Sequence, residues 1–136
     1  MNIEECIEQG YLRRIKSDDK LIEKEFREAD YDLSRARDAI GNKDFKWAII
    51  KSYYSMFHAA RAVLFSLGYR EKKHFAVQVV LEDLHKRGKL ERIYLDYFSA
   101  ALDAREGADY RYTYSKETAE EILKYTESLL QRMKKL

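Results

Sequence analysis

The chain has 136 residues, 46% hydrophobic and 37% charged, with no proline, five glycines and one cysteine. That length suits one domain with its own core, and the lack of proline leaves long helices unbroken. A formal net charge of +2 excludes a bulk electrostatic pull on nucleic acid, and the single Cys6 excludes an intrachain disulfide framework and agrees with a reducing compartment.

Met1 to Gly10 is acidic and polar and lacks the basic start and apolar stretch of a signal peptide, so a cytoplasmic protein is expected. Residues 1–16 read as an N-terminal extension or a short helix, about Glu4 to Arg14, set against a single domain over 17–136. Ser17-Asp18-Asp19 is a helix start, with acids where the helix dipole favours them. From there Leu21, Ile22, Phe26, Ala29, Leu33, Ala36 and Ile40 recur mostly at steps of three and four, which is helical spacing; Gly41-Asn42 is the stop.

Asp44 is the N-cap expected for the next helix, which runs through Tyr53, Tyr54, Phe57 and Val63 to Leu67 and Gly68. It is apolar on nearly every side and is therefore expected to be the most buried. Its longest apolar run, Ala59 to Leu67, holds Arg61 and is too short to span a bilayer. Tyr69 to Lys73 reads as a basic loop. A further helix, about His74 to Lys86, turns Phe75, Val79, Val80 and Leu84 toward the core, and Arg87-Gly88 closes it. Another spans about Leu90 to Ala108. A tyrosine-rich connection from Asp109 leads to Ser115, which opens the last helix with Ala119, Ile122, Leu129 and Met133 inward. No segment shows the period-two alternation of a strand. Short loops join antiparallel neighbours, so the fold expected is all-α: an up-and-down four-helix bundle with one or two additional short helices.

Several polar residues stand out against this apolar pattern. Tyr54, His58 and Arg61 share one face of the most apolar helix. Two readings fit them: His58 bonds a carbonyl while Arg61 pairs with a carboxylate or reaches solvent, or the stripe faces the Arg105 segment and lines a groove for an anionic ligand. In Asp103 to Tyr112, Arg105 and Asp109 are spaced for an ion pair if the helix continues, although Gly107 weakens a helix by roughly 1 kcal/mol relative to alanine. Arg105 and Tyr110 lie about 140° apart around a helix. His74 follows Arg70, Lys72 and Lys73 at a helix start, which suits either a solvated basic loop or an anion site. His85 reads as an exposed residue in the last turn of its helix. One cysteine and three histidines are too few for a dedicated metal site, and no cofactor motif is present.

The run Ser52-Tyr53-Tyr54-Ser55-Met56-Phe57-His58-Ala59-Ala60-Arg61, the Lys73-His74-Phe75 start and the stretch from Arg105 through Tyr110 resemble the HEPN family of small helical proteins, in its short stand-alone branch. The resemblance covers about Ala29 to Leu130. It implies a four- or five-helix bundle, usually a homodimer, often encoded beside a minimal nucleotidyltransferase and acting with it as a toxin–antitoxin pair. Active members are metal-independent ribonucleases with an arginine, four to six residues, a histidine and often a tyrosine two residues later; in related systems that tyrosine is adenylylated by the partner. Carried over by position, Arg105 matches the arginine, Tyr110 stands where the histidine is expected and Tyr112 matches the trailing tyrosine. Histidine titrates near neutrality and can take a proton from a ribose hydroxyl, whereas a tyrosine side chain is ordinarily a poor base at pH 7. The resemblance thus implies an RNA- or nucleotide-binding module. Its alternatives are a ribonuclease toxin using Arg105 with Tyr110 or His58, and a structural helical adaptor without ligand.

Overall fold

Side chains that accept a backbone N–H fix where the helices begin. In a computed structural model covering residues 1–136, Asn2, Asp18, Asp44 and Ser115 each do so, bonding the amides of Glu5, Lys20, Trp47 and Thr118 at 2.9, 2.9, 3.3 and 3.1 Å. Each satisfies one of the first-turn donors that have no partner inside the helix. The helices that follow are α1 (Ile3–Glu8), α2 (Asp19–Gly41), α3 (Phe45–Ser66), α4 (Phe75–Lys86), α5 (Arg92–Tyr110) and α6 (Lys116–Lys134).

The four long helices, α2, α3, α5 and α6, form the up-and-down bundle, with α1 and α4 as the short additions. α3 is its centre: it packs against α2, α5 and α6, and α6 also meets α2 and α5, whereas α2 and α5 scarcely touch. Fourteen of the 22 residues of α3 are buried, as its nearly all-round apolar pattern leads one to expect. Alanines 29, 36, 59 and 60 have no exposed surface, and small side chains let helices approach closely. Across that close contact the Ser55 hydroxyl donates to the Ala29 carbonyl at 2.7 Å, so a buried polar group is satisfied. On the other side, the Thr126 hydroxyl of α6 donates within its own helix to Ile122 at 2.7 Å. No helix is long and apolar enough to cross a membrane.

Two strands were not anticipated. β1 (Leu12–Arg14) and β2 (Tyr69–Glu71) pair antiparallel, with Leu12 opposite Glu71 and Arg14 opposite Tyr69. Three residues are too few to display alternation, so the ribbon is invisible to pattern. The expected helix over Glu4–Arg14 is therefore shorter, Ile3–Glu8, and the expected basic loop after Gly68 begins as a strand. Ile3, Cys6 and Leu12 nonetheless join the main core. Phe75 departs from its expected inward position: it is exposed, and its ring meets Tyr11 edge-on at 5.1 Å.

Left-handed backbone has opposite consequences at two of the turns that carry it. Gly68 has φ +86°, and a Cβ there would sit 3.3 Å from the Ile15 carbonyl oxygen. Lys43, at φ +59°, closes α2 in the position usually held by glycine, with Asp44 N–H bonded to the Ala39 carbonyl at 2.8 Å. Lys43→Gly is expected to raise unfolding stability by about 1 kcal/mol and Gly68→Ala to lower it by about 1–2 kcal/mol, measured by urea denaturation.

Candidate functional site

The polar stripe of α3 divides between two neighbourhoods. At one, His58 Nδ1 lies 2.7 Å from Glu25 of α2 and its Nε2 lies 3.6 Å from Asp32. One turn on, Arg61 makes a two-pronged pair with Glu71 of β2, Nη2 to Oε2 at 2.7 Å and Nε to Oε1 at 3.2 Å, and its Nη1 approaches Glu25 at 3.8 Å. The guanidinium also covers the Phe57 ring at 4.7 Å. Glu71 and Asp32 are buried, and burial pushes the Asp32 carboxyl above its ordinary range, an effect that the neighbouring His58 and Lys51 oppose. This cluster ties α2, α3 and the ribbon together, and every charge in it has a partner. His58 bonds a carboxylate rather than a carbonyl, and neither His58 nor Arg61 is in contact with Arg105.

The second neighbourhood forms where α5 passes α3. The helix does not turn at Gly107 but continues to Tyr110, so the Arg105–Asp109 pair forms, Nη2 to Oδ2 at 3.4 Å. The chain after α5 folds back over Gly107, so that Thr113 N–H bonds the Gly107 carbonyl at 2.9 Å. A Cβ at 107 would stand 3.2 Å from the Arg111 guanidinium. Arg105 Nη2 also donates to the Tyr54 hydroxyl at 3.2 Å. Its guanidinium carbon lies 5.6 Å from the ring centres of Tyr53, Tyr54 and Tyr110 alike. The length of the arginine side chain bridges the angular gap to Tyr110.

Three aromatic faces thus hold one guanidinium, and cation–π attraction fixes its plane. Tyr53 is the buried floor of this box, and burial pushes its hydroxyl up to about 12 even though Arg105 pulls it down. Arg105 has five N–H donors, yet its two contacts are long and its buried Nε has no partner. Its side chain remains 17% exposed, enough to be reached from solvent. Chemically, the arrangement can hold a phosphate or a developing negative charge but contains no imidazole beside the arginine to move a proton.

Tyr110, the outer ring of this box, is 68% exposed. The remaining candidates lie apart. Tyr112 is 77% exposed and has φ +53°, uncommon for a residue other than glycine, and its ring lies 5.7 Å from the Lys46 ammonium. His74 packs 4.7 Å from Phe57 and caps nothing with its side chain. His85 is half-buried rather than exposed, its Nδ1 donating to the Leu90 carbonyl at 2.8 Å. A cleft of about 190 Å³ between α4 and α5 includes Arg92, but that cation is already held by both oxygens of Glu82. Tyr53, Glu25, Asp32 and Glu71 were missed from sequence. Only Tyr53 carried a signal, as a large polar aromatic inside the most apolar helix.

Residues 22–136 match the HEPN domain. A protein of Methanocaldococcus jannaschii named "Putative toxin MJ0605" is 32% identical over 110 residues, covering 79% of this chain and 81% of its own. A second protein of that organism, "Putative toxin MJ0142", is 30% identical over 127 residues, 91% of this chain and 84% of its own. "UPF0332 protein PH1297" of Pyrococcus horikoshii is 35% identical over 80 residues, 57% of this chain and 56% of its own.

The two neighbourhoods should respond differently to truncation. Arg61→Ala leaves Glu71 buried without its partner and is expected to cost about 3 kcal/mol of stability. Arg105→Ala removes long contacts and an unsatisfied N–H and is expected to cost about 1 kcal/mol. Denaturant unfolding of the two variants checks this; equal losses would make Arg105 as structural as Arg61.

Proposed function

The chain belongs to the HEPN family, and from that membership and the Arg105 geometry we propose that it is a toxin-type cytoplasmic module that binds RNA or nucleotide phosphate, as a homodimer working with a minimal nucleotidyltransferase. The observation that carries the reading is the guanidinium of Arg105, held by three tyrosines with donor capacity left over. Arg61, by contrast, is braced by a two-pronged pair to a buried carboxylate that neutralises its charge. The relatives named as toxins support a toxin-type role.

Binding is favoured over cleavage by what surrounds the arginine. Tyr110 stands in the place of the family histidine, and both nitrogens of His58 face carboxylates instead. The outward ring of Tyr112 supports a second element of the proposal, modification by the partner. Its phenol oxygen would attack the α-phosphate of a nucleoside triphosphate, releasing pyrophosphate and a proton and leaving a nucleotidyl group on the ring.

Incubation with RNA in EDTA is expected to give binding without cleavage, and Arg105→Ala is expected to weaken that binding roughly 10- to 100-fold. Cleavage that disappears in Arg105→Ala would establish the nuclease instead, and absence of both would leave the structural adaptor. With the nucleotidyltransferase and a nucleoside triphosphate, intact mass should rise by one nucleotidyl group in the native chain and not in Tyr112→Phe. An unchanged mass beside a partner active on itself would remove this part of the proposal.

A further inference from the structure

The outward stripe of α3 begins with Trp47, Lys51 and Tyr54, at steps of four and three, so the three side chains share one face. Because α2 and α5 flank α3 and scarcely touch, this face is left largely open, with Arg105 of α5 reaching over it at Tyr54. Trp47 is 49% exposed, which is unusual for the largest side chain in the molecule. Each ring along the stripe and at its edges carries a cation. Lys51 Nζ lies 5.9 Å from Trp47, Lys46 Nζ lies 5.7 Å from Tyr112, and Arg105 stands 5.6 Å from Tyr54 and Tyr110. Lys46 and Lys51 are in no ion pair and are held only by these rings.

We propose that this face, from Trp47 through Lys51 to Tyr54 with Tyr112 and Tyr110 at its edges, is a stacking track for the unpaired bases of single-stranded RNA. The proposal rests on the RNA-binding reading above and adds which form of RNA is taken and by what contacts. Stacking on aromatic rings beside cations is how single strands are held without regard to sequence. The seven steps from Trp47 to Tyr54 rise about 10 Å along the helix, about three base-to-base steps of 3.4 Å. A base entering over Trp47 or Tyr112 displaces a lysine whose flexible stem then places its ammonium on the adjoining phosphate.

The charge pattern selects this occupant. A duplex hides its base faces and offers phosphates, for which a chain of net charge +2 has little general attraction. The core of an interface with a second copy is depleted in lysine, whereas here the lysines lie over the rings themselves. Asp109 offsets Arg105, and Asp32 draws on Lys51, so Lys46 is the least compensated cation of the track.

Trp47 is the one tryptophan of the chain, so its fluorescence reports on the track directly. The full chain is titrated with a labelled twelve-nucleotide oligouridylate and with a blunt RNA duplex of the same length, reading RNA anisotropy and tryptophan emission together. Expected are quenching that follows single-strand binding, a duplex bound at least tenfold more weakly, and losses of roughly 5- to 150-fold in Trp47→Ala and in Tyr112→Ala. Phe75→Ala, which removes an exposed ring off the track, should bind as the native chain does. Native-strength binding by Trp47→Ala and Tyr112→Ala would overturn the track while leaving the RNA-binding reading intact. If the native chain binds no RNA, both fall. Emission that changes on dilution of the protein alone and ignores RNA would assign the face to a second copy and overturn the track.

Discussion

A single helix in this molecule is asked to touch three others at once. α3 packs against α2, α5 and α6, and it can do so because alanines and serines bring the α2 and α3 backbones close while the buried Tyr53 packs against Phe98 of α5. Burial on three sides leaves one outward line, Trp47, Lys51, Tyr54, His58 and Arg61. The His58–Arg61 cluster and the Arg105 box both lie on that line or reach toward it. Apolar burial worth about 25 cal/mol per Å² holds the helix in place, and the choice of side chains on the uncovered line is then free to serve other ends.

That freedom is used in two ways along the same helix. Toward its C-terminal half, His58 and Arg61 are absorbed into a network with Glu25, Asp32 and Glu71, in which each charge is matched. Toward its N-terminal half, cations lie on rings instead of carboxylates, and a cation on a ring keeps its N–H groups available. The contrast between Arg61 and Arg105 is one of partners. A two-pronged pair with one buried carboxylate, at 2.7 and 3.2 Å, makes a brace, while three aromatic faces, a neutral hydroxyl at 3.2 Å and a half-buried carboxylate at 3.4 Å leave a guanidinium that can accept an anion.

Most of the architecture was legible in the sequence, since helix caps and apolar spacing are local signals. Asp18, Asp44 and Ser115 cap where they were expected to. The ribbon was not legible, because a three-residue strand is defined by its partner rather than by its own pattern. Phe75 misled because a ring at helical spacing says which face it is on but not whether a neighbour covers that face. At the site, Arg105 and Tyr54 were readable as candidates. Their meeting, and that of His58 with Glu25, depends on helix-to-helix register, which spacing within one helix does not contain. Gly107 read as a weak point of α5 and proved to be a seat for the chain that folds back over it.

The ribbon also bears on the order in which the chain assembles. Leu12 and Glu71 are about sixty residues apart in sequence, and bringing them together early would forfeit the entropy of a long open loop. Once α2 and α3 have formed their antiparallel hairpin, that loop has already been shortened by rigid helix, and the end of α3 is held next to the start of α2. The strands then need only meet across a small gap. The same pairing sets Glu71 beside Arg61, so the ribbon and the ion pair stand or fall together.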